Sequence, residues 1–369
     1  MNNKNFQTFF DCGFSKIRAG TFNQDNENKG IYLESEFFTD RSNLELKIQM
    51  IIASLEKDTN EYIDNINLMI DSPKMLSIGI SLFKKIDGSR LKQKNIQFLV
   101  QEAKQQILKY YTNHNIVHII INNYKINNID YTYLPDKIKC DSISLDILFI
   151  CLPTDLVVYF KNIFSKFNIL VDQVICSSYA KSMNYKENLY LSGYSSFIDI
   201  GFNRTSIISY YNEKILSLDV LPVGGNHITK DISKILEIDL EKSEQMKRNF
   251  DQNLKLSYGD DASIHTLQKI IFARTEEILE LSVKSIESNT YSIDRFKIII
   301  TGEGSKILDN QHKDKIFFEN DIDFLEETLE DICQSGFKFV TELNKQEVVV
   351  IPKRLIKQGF FEKLFHFFK

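Results

Sequence analysis
The sequence predicts an α/β protein built from two related lobes with one inserted segment. Three observations carry this prediction. QTFFDCGFSKIRAGTF (Gln7–Phe22) and SSFIDIGFNRTSIISY (Ser195–Tyr210) share one pattern: an apolar run, then D-x-G-F-x-[KR], then a second β-prone run. Each reads as strand, tight glycine turn, strand, and a repeat this distant marks two structurally related halves. Each copy then meets a further strand, KGIYLESEFFTD after the polar turn QDNENKG and KILSLDVLPV after the turn at Asn212 and Glu213, so each half opens with a three-stranded meander. Finally, segments with apolar residues at i, i+3 and i+4 are interspersed with short apolar runs, the pattern of helices and buried strands in one fold.

In chain order, LELKIQMIIASLEK (Leu44–Lys57) has helical spacing and Asn65–Asp71 alternates as a strand. NIQFLVQEAKQQILKYY is a helix, and VHIIIN and SLDILFICLP are buried strands. DLVVYFKNIFSKFN is helical and ILVDQVIC is a further buried strand. In the second half HITKDISKILEI, LEKSEQMKRNF and SIHTLQKIIFARTEEILELSVKSIES are helical, and RFKIIITGEGSKI is a strand running into a glycine turn.

With 369 residues the chain is long enough for more than one core. A net charge of −5 argues against general nucleic-acid binding, which needs a basic footprint. The five cysteines are odd in number and scattered, without metal-ligand spacing, which fits a reducing compartment. The N-terminus lacks a signal-peptide core, and no run of about 18 apolar residues would span a bilayer.

Four turns can carry chemistry. In Asp11-Cys12-Gly13-Phe14-Ser15-Lys16 the glycine lets backbone N–H groups approach a phosphate. Ser15 adds a hydroxyl, Lys16 a charge, and Asp11 a carboxylate suited to hydrated Mg²⁺. Asp199-Ile200-Gly201-Phe202-Asn203-Arg204-Thr205 repeats the pattern, so the two turns can clamp phosphates from opposite lobes. Leu221–Thr229 leads a Gly pair into a helix N-terminus, a ready anion site. Thr301-Gly302-Glu303-Gly304-Ser305-Lys306 follows an apolar run and lets a ring or sugar approach. Taken singly, each is also what a plain hairpin or connector looks like.

The last residues, GFFEKLFHFFK, separate cleanly on a helix. Phe360, Phe361, Leu364, Phe365, Phe367 and Phe368 fall within an arc of about 160°, and Glu362, Lys363, His366 and Lys369 lie opposite. Lys353, Arg354 and Lys357 precede them. Such a helix lies in a membrane interface, where each basic residue near an anionic surface adds about 1 kcal/mol. A helix docked on the protein's own core is the competing reading.

Two phosphate turns, the helix start LPVGGNHITKDI with EKSEQMKRNF after it, and T-G-x-G-S occur in this order in actin-like ATPases, and the set resembles FtsA, the bacterial cell-division protein family. FARTEEILELSVKSIE is similar to its partner-binding lobe and FNILVDQVICSSYAKSMNY to its returning strand and helix. The resemblance runs from about Phe9 to about Ser305 and is strongest from Asp199.

The resemblance implies an actin-like two-lobed α/β fold with duplicated ribonuclease-H-like subdomains, an FtsA-type inserted subdomain and a C-terminal amphipathic helix. The implied organisation is a first lobe at residues 1–72 and 151–190 around an insert at 73–150. A second lobe follows at 191–345, with a partner-binding subdomain at about 226–295, then a linker and helix at 346–369.

It further implies ATP with Mg²⁺, held by Asp11, Gly13, Phe14, Ser15 and Lys16 from one lobe and Asp199, Gly201, Asn203, Arg204 and Thr205 from the other. Asp11 and Asp199 would meet the metal. Gly224, Gly225 and Asn226 would line the phosphates, Lys242 and Glu244 the ribose and adenine, and Gly302, Glu303, Gly304 and Ser305 would close over the nucleoside. For Lys242 and Glu244 a solvated helix face is the alternative.

Arg274 and Glu277 would bind the C-terminal tail of FtsZ, the alternative being an intrahelical ion pair. Other implied partners are a second copy in a filament, an anionic membrane surface, and further division proteins at the insert. The implied location is the cytoplasmic face of the inner membrane at the septum.

The chain departs from the family where Phe14, Phe202, Asn203, Arg204 and Glu303 replace small residues. Bulk at these turns restricts phosphate approach, and Arg204 either compensates with charge or replaces the metal, so weak or absent hydrolysis is expected. The rival readings are a pilus-assembly actin homologue, a small-molecule kinase of the same superfamily, and a nucleotide-free scaffold.

Overall fold
Strand β1 (Phe6–Cys12) turns into β2 (Lys16–Asn23), and β3 (Asn26–Glu36) completes an antiparallel meander. The structure is a computed structural model describing residues 6–23, 26–36, 43–135, 138–212, 214–250, 261–289, 296–308 and 321–343. The expected C-terminal helix and its linker lie outside these residues. The polar stretch Gln24–Gly30 was expected as a turn, but β3 begins at Asn26, with Phe22 opposite Gly30 and a bulge at Phe22 and Asn23. Ladder pairing is a backbone property, and a polar edge strand shows no apolar alternation to read.

Helix α1 (Leu44–Thr59) buries Leu44, Ile48, Ile51, Ile52 and Leu55 at spacings of one helical face and ends at left-handed Asn60. It returns the chain to β4 (Asn65–Ile70), parallel to β1. A third sheet follows, made of β5 (Leu76–Lys85), β6 (His114–Ile126), β7 (Ile129–Tyr131) and β8 (Ser142–Pro153) in the order β5-β8-β6-β7. Helix α2 (Gln93–Tyr110) covers it, with Ile96, Leu99, Val100, Ala103 and Ile107 buried in a core that also holds Ile147 and Phe149. Helix α3 (Thr154–Lys166) then leads to β9 (Leu170–Cys176), parallel to β4. Its first half alternates between exposed and half-buried, so β9 is an edge strand rather than the fully buried one expected. Helix α4 (Ser177–Asn188) follows directly.

The second half repeats this plan. Strands β10 (Tyr194–Ile200), β11 (Thr205–Tyr211) and β12 (Lys214–Leu221) form the meander. Helices α5 (Gly225–Leu236), α6 (Leu240–Arg248) and α7 (Asp261–Asn289) lead to β13 (Lys297–Thr301), parallel to β10, and β14 (Asp321–Phe324) lies parallel to β13. The sheet orders are β3-β2-β1-β4-β9 and β12-β11-β10-β13-β14: an antiparallel meander extended by two parallel strands in each lobe.

Helix α8 (Leu329–Lys338) crosses back onto the first sheet. Thr328 starts it with a capping box, accepting from the Asp331 N–H while Asp331 accepts from the Thr328 N–H. Phe337 stacks on Phe22 with centroids 4.7 Å apart and meets Phe9 edge-on at 6.1 Å. The same core reaches Phe197, Ile208 and Tyr210 of the second sheet, so the lobes share buried apolar surface. Phe337→Ala should therefore lower unfolding free energy by about 3–5 kcal/mol in urea titrations, and a loss below about 1 kcal/mol would show that α8 does not hold the first lobe.

Candidate functional site
The two turns of the internal repeat close with the same bond. The Gly13 N–H donates to the Lys16 carbonyl at 2.9 Å, and the Gly201 N–H donates to the Arg204 carbonyl at 2.8 Å. Lys16 and Arg204 therefore occupy equivalent positions, as do Asp11 and Asp199 at the carboxyl ends of β1 and β10. Asp71 lies just past the carboxyl end of the parallel strand β4. Ligand sites in α/β sheets gather at this end of the strands. Here the three aspartates line one cleft between the lobes with Arg18, Ser177, Lys181, Glu303 and Glu327.

This cleft is filled by charge. Arg204 Nη2 donates to Asp71 of the first lobe and, at 3.1 Å, to Asp199 Oδ2 of its own. Lys181 Nζ, on α4, pairs with Asp199 Oδ2 and Glu327 Oε1, both at 2.9 Å. Arg18, directly opposite Asp11 in the β1–β2 ladder, donates to Asp11 Oδ2 and to Glu303 Oε1, both at 3.2 Å. The Ser177 hydroxyl donates to Asp11 Oδ1 at 2.7 Å. The Ser178 N–H and hydroxyl donate to Asp71 at 3.0 and 3.2 Å. Glu303 also accepts from Lys16 at 3.3 Å and pairs with Lys306. Five carboxylates meet five cations, and Asp11, Arg18, Asp71, Lys181, Asp199 and Arg204 are all under 9% exposed. Buried charges persist only when paired and hydrogen-bonded in this way.

Burial alone would raise the Asp199 carboxyl, but the Lys181 and Arg204 charges outweigh it and hold it well below the usual range. Burial likewise opposes the charged form of Glu303, and Lys16, Arg18 and Lys306 bring it down to about 2. Burial would lower Lys181 and Arg204, yet their carboxylate partners keep both protonated.

The metal expected at Asp11 and Asp199 does not fit this arrangement. Their oxygens are engaged by Arg18, Ser177, Lys181 and Arg204. A divalent ion about 4 Å from one of these cations would be repelled by roughly 8 kcal/mol at an effective dielectric constant of about 20. Among the described residues, no cluster of three or more His, Cys, Asp or Glu is arranged to hold a metal.

A nucleoside fits better. Beside the inner space of about 70 Å³ lies an outer cavity of about 330 Å³. Its wall combines apolar Ile228, Phe250 and Ile307 with Lys16, Glu244, Lys247, Arg248, Glu303 and Lys306. That volume and mixture suit a small ligand with an apolar face and an anionic end. Glu244 accepts from Thr229 at 2.5 Å, from Lys247 at 2.6 Å and from Arg248 at 2.8 Å, which lowers its carboxyl against the effect of burial. Lys242, expected beside Glu244, is exposed on the other side of α6 and does not line the cavity.

The N-terminus of α5 is not an open anion site. The Gly225 N–H donates to the Gly201 carbonyl, Asn226 N–H to Phe202, and His227 N–H to Gly224, while Gly224 N–H donates to His227 Nδ1. These bonds and the Asn226–Asn203 side-chain bond at 2.9 Å seat α5 on the second glycine turn, with Gly224 and Asn226 as supports, while Gly225 also lines the outer cavity. Gly302 has φ +92, and a Cβ there would strike Asp199 and the Ile200 carbonyl; Gly304 is pressed against Ile200. The close approach these glycines allow is to β10, and Gly302 lines the inner cleft while Gly304 lines the outer cavity. Ser305 donates to the Gly302 carbonyl at 2.7 Å, and Thr205 to the Val223 carbonyl at 2.8 Å. Phe14, Ser15 and Phe202 line the cleft beside Gly13.

Arg274 lies about one-quarter exposed on α7, bonded to Asp231 of α5 at 2.6 Å and to Glu277 at 2.5 Å. The pair is thus tied into the α5–α7 contact. Phe360, Phe361, Leu364, Phe365, Phe367 and Phe368 lie outside the described residues. No helix among the described residues is long and apolar enough to cross a membrane.

Sequence reading missed Arg18, Asp71, Ser177, Lys181, Lys247, Arg248 and Glu327. Asp71 carries a usable signal, since it ends a parallel strand just as Asp11 and Asp199 end theirs.

Two copies of one five-stranded topology closing on a charged cleft define an actin-like two-lobed fold. The solved PilM-PilN type IV pilus biogenesis complex shares it, with a TM-score of 0.62 over 90% of this chain and 95% of that one at 12% identity. A family model for cell division protein FtsA matches residues 196–312. Cell division protein FtsA of Buchnera aphidicola is 24% identical over 282 residues, 70% of this chain and 63% of that one. FtsA of Bacillus subtilis is 37% identical over 112 residues, 25% of this chain and 24% of that one. Residues 196–312 of the chain thus resemble FtsA on an actin-like fold, and the chain spans less than two thirds of the length of these relatives.

Because Glu303 is depressed in the folded state, its contribution is complete above the ordinary glutamate value of 4.5 and drains as pH falls toward about 2. The melting temperature of the wild type should fall through this window, and Glu303→Gln should flatten the fall. Parallel curves for the two proteins would remove Glu303 from the network.

Proposed function
We propose that the chain acts in cell division as a nucleotide-binding actin homologue that joins FtsZ filaments to the membrane. The observation that carries this reading is the FtsA family match over residues 196–312, which contain the second phosphate turn, α5 and most of the outer-cavity wall. A nucleoside phosphate would enter the outer cavity, its ring against Ile228, Phe250 and Ile307 and its phosphates toward Lys16, Lys247 and Lys306. Nucleotide would bias lobe closure, and hence self-association, more than undergo turnover.

Two further parts of the reading rest on sequence. The aromatic face of residues 360–368 would bury itself in an anionic membrane surface, placing the protein on the inner face of the cytoplasmic membrane at the septum. Arg274 would exchange Glu277 for a carboxylate of the FtsZ C-terminal tail, with α7 as the docking helix. The third sheet, with its own core, would serve as the inserted subdomain for subunit and division-protein contacts. Likeness to the pilus-complex structure keeps a second reading in play, a peptide-binding adaptor of pilus assembly.

Co-sedimentation with anionic vesicles separates these readings. The intact chain should pellet, a chain ending at Gln358 should stay in solution, and an FtsZ tail peptide should be carried down only by the intact chain. Arg274→Glu should keep vesicle binding and weaken the peptide about tenfold or more. If both chain lengths stay in solution and neither binds the peptide, the division reading fails and the pilus-type adaptor moves ahead.

A further inference from the structure
Three features of the cleft bear on how a nucleotide would be held. First, the two carboxylates best placed for a metal are both occupied by protein cations. Asp199 Oδ2 receives Lys181 at 2.9 Å and Arg204 at 3.1 Å, and Asp11 receives Arg18 at 3.2 Å and Ser177 at 2.7 Å.

Second, these cations are built in. Arg204 and Lys181 are each 7% exposed and each bridges the lobes, Arg204 from the second lobe to Asp71 and Lys181 from α4 to Asp199 and Glu327. The inner space around them measures about 70 Å³, against about 330 Å³ for the outer cavity.

Third, the outer cavity carries an excess of cations. Lys16, Lys247, Arg248 and Lys306 face Glu244 and Glu303 in its wall and Glu36, which pairs with Lys16 at 2.9 Å and with Arg248 at 3.0 Å. Lys247 Nζ reaches the Gly225 carbonyl at 3.0 Å and Thr229 Oγ1 at 2.9 Å, so it is fixed at the cavity wall.

We propose that Arg204 and Lys181 neutralise the cleft carboxylates that a divalent cation would otherwise hold, so that a nucleoside phosphate in the outer cavity is bound by Lys16, Lys247, Arg248 and Lys306 and without metal. The inference rests on the nucleotide reading above and adds to it a specific ionic requirement. Magnesium in solution then competes with the protein for the phosphates instead of bridging them, so metal weakens binding or leaves it unchanged.

The test is titration of the 369-residue chain with a fluorescent N-methylanthraniloyl derivative of ATP, once in magnesium and once in EDTA. Affinity in EDTA should equal or exceed that in magnesium, within about threefold. Arg204→Gln should bind at least about tenfold more weakly in EDTA and recover in magnesium. Binding by the wild type that falls about tenfold or more in EDTA overturns the metal-free inference and leaves nucleotide binding intact. An Arg204→Gln protein that binds like the wild type in both buffers overturns it too. Absence of binding in both buffers overturns this inference and the nucleotide reading together. The wild-type comparison decides the matter even if the variant does not fold.

Discussion

The Arg204 guanidinium is held between Asp71 and Asp199, carboxylates that end parallel strands in opposite lobes. Much of the cleft follows from that contact. Asp199 is shared with Lys181, which reaches Glu327, and Glu327 accepts from Tyr185 at 2.9 Å. On the other side Glu303 joins the turn after β13 to Lys16 and Arg18 of the first hairpin. The lobes therefore meet through alternating charges at the inner cleft, with the outer cavity beside them. Ion pairs this deep contribute little net stability against a well-packed apolar alternative, but leaving any one of them unpartnered is costly. They fix the relative placement of the lobes more than they add to its strength.

The apolar side of the architecture makes that placement possible. Helix α8 comes from the second lobe and packs Phe337 onto Phe9 and Phe22 of the first. Helix α4 carries Lys181 into the cleft while Ser182 meets Tyr210 of the second sheet at 2.7 Å. Both crossings place cleft residues at the ends of buried elements, so side-chain positions in the cleft are set by the shared core. Two positions where the resemblance to FtsA implies small residues, Arg204 and Glu303, are both members of the cross-lobe network. The departures thus act as a set: each places a charge in the cleft where a small residue would leave room for a ligand.

The duplicated meander was legible in sequence because both copies keep the D-x-G-F-x-[KR] turn between β-prone runs, and local turn chemistry specifies such hairpins directly. The helices were legible from apolar spacing, as in α1 and α5. The start of β3 was not, because its pairing is made by backbone and its residues are polar. The cleft was half legible. Asp11, Lys16, Asp199, Arg204 and Glu303 belong to local motifs, but Asp71, Lys181 and Glu327 come from three distant segments and meet only when both sheets are in place. Lys242 was misplaced for a related reason: helical spacing gives a face of α6, and only packing against α5 decides that Glu244, Lys247 and Arg248 take the cavity side.

A double-mutant cycle between Arg204 and Asp71, read by equilibrium unfolding, tests the central claim most directly. Arg204→Met leaves Asp71 with the Ser178 donors but no cation and should cost about 3–5 kcal/mol, and Asp71→Asn leaves Arg204 on Asp199 alone and should cost less. The double variant should cost less than their sum by about 1.5 kcal/mol or more, the coupling expected of a direct buried pair. Costs that add to within about 0.5 kcal/mol would show that the two residues act independently and that the lobes are not joined through this contact.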